Sequence, residues 1–381
     1  MGFTGFTLVM PFLPLFIAQL GVSDVGEVAL WTGLCLGVTP ALTALMSPFW
    51  GRLADRYGRK IMVERSIGSF VLVMAMTAYV TRPWQVFALR AVQGLFAGYG
   101  ALTLTMAAES APRERMAQAI GLVQTAQRLG PAVGPVIGGA LAGLVGLRRA
   151  FLITAAFYVV ALILVLVLYD ERATHVQTHA RESGRVSFRN VLAFQNFILM
   201  MGAIFGIQFV DRSFGPILPL YIEQLGLRPH NVPIVAGALF SITACAGALG
   251  HHFCGRLLRR VSPRAVIAVG SAVAALGSGL FAVTGNLWLI AAAATVFGVG
   301  IGASMTAAYT AAGSVMPPGA HGTGFGVLTS ASLTGLAVSP VFAGFVGATS
   351  IRVVFLVDVG LLVVLAAVVW RGMVDVPAPL S

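Results

Sequence analysis

Pro11-Phe-Leu-Pro-Leu-Phe-Ile-Ala-Gln-Leu-Gly21 matches Pro216-Ile-Leu-Pro-Leu-Tyr-Ile-Glu-Gln-Leu-Gly226 at eight of eleven positions, 205 residues further along the chain. Self-similarity at one fixed offset is the mark of a duplicated unit. At offsets of 204 or 205 the same alignment brings Gly51 to Gly255, Trp84 to Trp288, Gly94 to Gly298, Gly130 to Gly335, Pro135 to Pro340 and Phe151 to Phe355. The chain is therefore read as two copies of one half, separated by the polar stretch Asp170 to Asn190, which lacks apolar periodicity and reads as a linker.

Composition says what solvent those halves meet. The chain is 58% hydrophobic and 10% charged, and apolar runs long enough to cross a bilayer recur from end to end. Twelve helices are expected, near 3–20, 29–50, 61–80, 84–108, 117–143, 150–169, 193–222, 232–254, 264–283, 286–312, 323–346 and 351–370. The expected fold is all-α and integral to the membrane, with two parallel six-helix repeats, 1–169 and 192–381, joined by a linker at 170–191. The repeat offset carries the start of the seventh helix to a point before Met1, so the first helix is expected to be short and the chain start truncated or misassigned. No signal peptide is expected at the N-terminus.

The net charge of +11 does not make a nucleic-acid surface, because the arginines lie in short loops between apolar runs. It encodes topology. Placing the loop after Phe49-Trp50 in the cytoplasm puts fifteen Lys and Arg on that side and five on the other, so both termini are expected in the cytoplasm. Cys35, Cys245 and Cys254 lie in or beside apolar runs and read as small buried hydrophobes without disulfides. His175 and His179 have metal-like spacing but no Cys or carboxylate beside them, and no metal site is expected.

Between the second and third helices runs Gly51-Arg-Leu-Ala-Asp55-Arg56-Tyr-Gly58-Arg59-Lys60. A purely topogenic loop needs only the positive residues. The added carboxylate and the two spaced glycines point to a defined, tight turn able to hold helix ends together in one conformation and release them in another. This segment resembles the loop signature of the major facilitator superfamily, Gly-x-Leu-Ala-Asp-Arg-x-Gly-Arg-Lys. The resemblance extends over practically the whole chain and implies a secondary transporter working by alternating access. It assigns gating to Asp55, Arg56 and Arg59 within the Gly51–Lys60 loop, with Glu109 placed beside the loop cations. The second copy carries Arg259 where the first has Asp55, which leaves its gating role open.

Arg90 stands in the apolar fourth helix, where a charge at mid-membrane costs at least about 2.5 kcal/mol without a partner or water. Family likeness implies a part in proton movement; an internal pair or a snorkelling side chain is the other reading. The fifth helix carries Gly121, Gly130, Gly134, Pro135, Gly138 and Gly139, of which Gly130, Gly134 and Gly138 stand four apart on one face and allow close helix approach, while Gly134-Pro135 adds a bend. Their spacing resembles the signature of the antiporter branch, and that resemblance favours export.

Asp211 and Arg212 fall midway along the seventh helix. Neighbours on a helix point about 100° apart, so they are not expected to pair with each other. Asp211 reads either as a proton carrier or as half of a salt bridge to another helix. Asp358 and the Glu64-Arg65 pair rank below it, since outer helices serve mainly packing. Gln93, Tyr99, Gln124, Arg128, Gln208, Phe209 and Arg212 are the candidate cavity residues, with ordinary packing as the alternative for each.

The sequence contains no Walker loop, nucleophile–base set or metal cluster, so no enzymatic activity and no cofactor is expected, and a proton gradient is the implied energy source. The partners expected are a small-molecule substrate, protons and the lipid bilayer of a bacterial inner membrane, with no nucleic acid and a functional monomer. Proton-coupled efflux of hydrophobic or amphiphilic drug-like compounds is the leading reading. A transporter of a specific sugar, amino acid or siderophore, and a membrane sensor that moves nothing, remain open.

Overall fold

The structure is a computed structural model that describes residues 7–98, 116–168, 194, 196–316 and 321–374. Among these residues there are twelve helices and no strand: α1 Leu13–Gln19, α2 Val25–Tyr57, α3 Arg59–Thr77, α4 Pro83–Phe96, α5 Met116–Val145, α6 Leu147–Leu168, α7 Phe197–Gln224, α8 Val232–Leu257, α9 Pro263–Val283, α10 Leu287–Ser314, α11 His321–Gly347 and α12 Ile351–Gly372. Eight described helical segments are long and apolar enough to cross a bilayer. The protein is a multi-pass helical membrane protein. The linker expected at 170–191 lies outside the described residues.

Helix starts follow side-chain chemistry that periodicity alone does not register. The Asp24 carboxylate accepts the Glu27 N–H at 2.8 Å, so α2 begins at Val25 rather than near 29. Ser262 caps α9 ahead of Pro263, and Asn286 accepts from the amides of Trp288 and Leu289 at the start of α10. One expected element is interrupted. The fourth helix breaks after Phe96, where Ala97 is extended and Gly98 has a φ of 129°; the part expected at 99–108 lies outside the described residues.

The chain forms two compact units. One comprises Met1–His179 with Leu218–Ser241, the other Ala180–Ile217 with Ile242–Ser381. In the first, Phe12 and Phe16 pack on Phe151 with ring centroids 5.2 and 4.7 Å apart. In the second, Phe214 packs on Phe281, Phe297 and Phe355 at 4.6 to 5.2 Å. Lipid is as apolar as these rings, so close packing, not escape from water, holds the helices together. The faces turned outward remain apolar: α6 has a mean hydropathy of 3.0 yet is mostly unburied, and Leu144 and Val167 are exposed. Trp84 and Trp288, equivalent by the repeat, are exposed at the starts of α4 and α10, where an aromatic belt would meet headgroups.

The duplication is visible in contacts. A Cβ on Gly94 would lie 2.6 Å from the Thr39 carbonyl and 2.9 Å from the Leu42 Cβ. One on Gly298 would meet the Thr243 carbonyl and lie 2.9 Å from the Ala246 Cβ. Each partner is displaced by 204 residues, so α2 crosses α4 and α8 crosses α10 through the same small-residue contact.

Candidate functional site

The Gly51–Lys60 segment is less of a loop than its glycines suggest. Helix α2 continues through Gly51 to Tyr57, and α3 starts at Arg59, so Gly58 alone breaks the backbone, with φ 94° and ψ 149°. The residues from Arg52 to Tyr57 tolerate helical geometry, whereas a left-handed φ at position 58 is open to glycine and costly for a residue with a Cβ. Arg56 is exposed, and Lys60 reaches the Leu166 carbonyl on α6 at 3.2 Å and Glu64 at 3.9 Å. The side chains of Gly51 and Asp55, and all of Tyr99 and Glu109, lie outside the described residues.

Beside this break, three helices are tied through one guanidinium. Arg65 on α3 stacks 3.2 Å over the Trp50 ring of α2 and donates to the Phe96 carbonyl at the end of α4. Trp50 Nε1 donates to the Leu95 carbonyl at 2.7 Å. Carbonyls left unpaired by the end of α4 thereby find donors on α2 and α3. Sequence reading ranked Arg65 low; its place five residues beyond Lys60, with Trp50 two turns before the end of the preceding helix, was the available signal.

Arg90 is buried in α4 and donates from Nη1 to Gln93 Oε1 at 2.8 Å. Gln93 is fully buried, and its Nε2 has no hydrogen-bond partner among the described residues. The helix is held there by Thr39, whose hydroxyl donates to the Arg90 carbonyl at 2.9 Å. Arg90 and Gln93 thus form one buried polar unit.

The glycines of α5 serve two separate segments, the one ahead of α1 and the start of α8. Gly138 faces the backbone of Leu8, while a Cβ on Gly139 would lie 2.9 Å from the Pro233 carbonyl carbon of α8. Consecutive residues point about 100° apart, so a Gly-Gly pair opens two faces at one level. Gly143 extends the face toward α8, since a Cβ on it would lie 2.6 Å from the carbonyl oxygen of His230, just ahead of α8. Gly130 stands on the side of the segment ahead of α1, its carbonyl accepting from Thr7 at 2.9 Å. Pro131 and Pro135 lie inside a continuous helix. The α5–α8 contact is at the end of the helices remote from Gly58. The side chains of Gly121, Gln124 and Arg128 lie outside the described residues.

In the second unit, the expectation that Asp211 and Arg212 do not pair is overturned: Arg212 Nε sits 3.1 Å from Asp211 Oδ2, both side chains about a quarter to a third exposed. The guanidinium stem is long enough to fold back across the 100° between them. The contact is an ion pair and not a hydrogen bond, since Nε has no hydrogen-bond partner among the described residues. One turn earlier, Gln208 Oε1 accepts from Ser332 at 3.2 Å and the Phe209 carbonyl accepts from Ser339, both on α11. Phe209 is buried in ring contact with Phe205 and Phe342. Gly335, equivalent to Gly130, allows this approach: its Cβ would lie 2.8 Å from the Phe205 carbonyl.

Asp358, ranked low from sequence, is 1% exposed and within 2.5 Å of the Ser213 hydroxyl on α7. Its signal was in the spacing: Ile351, Phe355, Asp358 and Leu362 recur on one buried helical face. Cys245, by contrast, is exposed, on a face of α8 that also carries Leu249, so the buried reading holds only for Cys35 and Cys254. A groove of about 830 Å³ between α8 and α10, lined by Leu249, Phe253, Leu257 and Val299 with Arg256, Arg259 and Arg260, includes none of the expected cavity residues.

A duplicated, multi-pass helical bundle that holds ionisable side chains inside its spans has the build of a secondary transporter. The chain belongs to the Major Facilitator Superfamily, whose model matches residues 1–285 and 230–381. It is 31% identical over 357 residues to Multidrug resistance protein MdtG of Proteus mirabilis (strain HI4320), covering 92% of this chain and 88% of that one. It is 34% identical over 314 residues to the protein of the same name from Dickeya zeae (strain Ech586), covering 81% and 76%. A bacterial homolog of the human lysosomal transporter Spinster, in an inward-facing and occupied conformation, shares the fold with a TM-score of 0.80 at 18% identity, covering 97% of this chain and 93% of that one.

Proposed function

We propose that this protein exports hydrophobic or amphiphilic drug-like compounds across a bacterial inner membrane, exchanging them for protons by alternating access. The observation that carries the reading is the half-buried Asp211–Arg212 pair at the middle of α7. A carboxylate paired with an arginine can take a proton and free the cation, so a proton and the substrate can compete for one site and protonation can drive substrate release. The naming of two relatives as multidrug resistance proteins supports export of varied compounds. Arg90, bonded to Gln93 in α4, is a second candidate for the proton step, in the first half, where the repeat gives it Ala294 as its counterpart.

In this reading, the proton gradient is the only energy source, no cofactor takes part, and the monomer suffices. Both termini lie in the cytoplasm. The backbone contact between α5 and α8 closes the outer end, and the break at Gly58, with Asp55, Arg56, Arg59, Lys60 and Glu109, governs the inner one.

Dye efflux from an efflux-deficient host against an imposed pH gradient tests this. The wild-type chain should lower dye retention in a gradient-dependent way, and Asp211→Asn should retain dye. Efflux indifferent to pH would remove the proton, and gradient-driven uptake of a sugar would overturn the export reading. Asp55→Asn with undiminished transport would sink the gate assignment.

A further inference from the structure

Asp358 is buried in the second unit, on the helical face that also carries Phe355, whose ring meets those of Phe214 and Phe281. Its contact is the Ser213 hydroxyl, 2.5 Å from Oδ2. The same hydroxyl lies 2.9 Å from the Val210 carbonyl. A hydroxyl has one proton, so it cannot donate fully to both oxygens. The two distances are satisfied together when the carboxyl is the donor: Asp358 O–H to Ser213 Oγ, and Ser213 O–H to the Val210 carbonyl.

The surroundings favour the same assignment. Among the described residues, no cation lies within 4.0 Å of the carboxyl, and an ionised carboxylate in such a setting would be uncompensated. Helix α9 brings only Arg264, which stacks on Trp370, and α11 brings only His321. From α10 the only titratable group is Tyr309, and from α12 itself Arg352 and Arg371. Helix α7 carries Asp211 and Arg212, paired with each other, and Tyr221 and Glu223 towards its end. The first repeat has Thr154 at the equivalent position, where the hydroxyl is satisfied on its own helix by the Ala150 carbonyl at 2.8 Å. A buried side chain needed only for packing is met there without a titratable group. The second repeat has replaced it with one that reaches across to α7.

We propose that Asp358 is a proton-binding site of the transport cycle, carrying its proton in this conformation as the donor to Ser213. The proposal rests on the proton-coupled reading above. A shift of α7 that draws Ser213 away removes the acceptor. The carboxyl then gives its proton to water reaching the opened contact and becomes a carboxylate; on return the proton is taken back and Ser213 turns its own proton to Val210. Since Ser213 adjoins Arg212, movement of the Asp211–Arg212 pair and loss of this proton are mechanically linked.

The test uses the purified full chain in liposomes. Its infrared spectrum at neutral pH should contain a protonated-carboxyl band that shifts in deuterated water and is lost in Asp358→Asn. Ser213→Ala, which keeps the carboxyl, should move that band by removing its acceptor. Asp358→Asn, whose amide can still donate to Ser213, should keep dye counterflow while gradient-driven accumulation falls by about tenfold or more. Absence of the band, its persistence in Asp358→Asn, its indifference to Ser213→Ala, or full gradient-driven accumulation in Asp358→Asn would each overturn the proposal. Failure of the wild type to respond to a pH gradient would instead defeat the proton-coupled reading, with the band still deciding where a proton resides.

Discussion

Gly139 of α5 and Gly237 of α8 meet backbone to backbone: a Cβ on either would lie 3.3 Å from the other's Cα. The contact is reciprocal, since Gly139 faces Pro233 and Gly237 faces Pro135, each one turn earlier on the opposing helix. Neither helix has room for a methyl group there. Gly237→Ala should force the helices apart, at about 1–3 kcal/mol for an overpacked contact. Thermal unfolding in mild detergent checks the stability, and efflux rate checks whether outer closure depends on this approach. Unchanged stability and efflux would show that the crossing is slack.

Gly58 predicts a different kind of sensitivity. Its φ of 94° is open to glycine and strained for alanine, so Gly58→Ala should destabilise by about 1–2 kcal/mol through backbone conformation rather than lost contacts. Gly68, which has nothing within 4 Å of a built Cβ and lies inside α3, is the control. Gly68→Ala should be neutral or stabilising in the same unfolding measurement.

Arg90 and Gln93 should behave as a unit. Removing either leaves the other's polar atoms buried, whereas removing both relieves the mismatch. A double-mutant cycle of Arg90→Ala and Gln93→Ala, read by unfolding in detergent, should give a coupling of about 1.5–3 kcal/mol, the range for hydrogen bonds to a charged group. A coupling near zero would mean that Arg90 draws its stability from elsewhere.

Trp50→Phe should separate stacking from hydrogen bonding at the helix ends. Phenylalanine keeps a ring beneath Arg65 but loses the indole donor to the Leu95 carbonyl. A loss of about 0.5–1.5 kcal/mol is expected from that bond. Trp50→Ala should cost more by removing the cation–π contact as well, and comparison of the two variants' unfolding midpoints measures the difference.

Much of the fold was legible because a membrane span needs length and apolarity, both local properties. Ends were less so: α2 starts where Asp24 caps it, and α4 stops at Ala97, a residue with nothing in its chemistry to end a helix. The candidate site was legible only residue by residue. Asp211 and Arg212 were found as rare charges in an apolar helix, yet their mutual pairing depended on side-chain torsions that sequence spacing does not set. Asp358 was found and undervalued, because its weight comes from Ser213, 145 residues away.

By itself, the sequence determined the all-helical membrane class, the duplication and the positions where the two copies differ, since each of these is written in composition and offset. Tertiary structure alone decided what those positions touch. The offset pairs Phe151 with Phe355 and thereby Thr154 with Asp358, but only folding reveals that the hydroxyl is satisfied on its own helix while the carboxyl is held against α7. A hydrogen bond is made by atoms brought within about 3 Å of each other, and in a helical bundle that proximity is set by helix crossings rather than by neighbours in the chain.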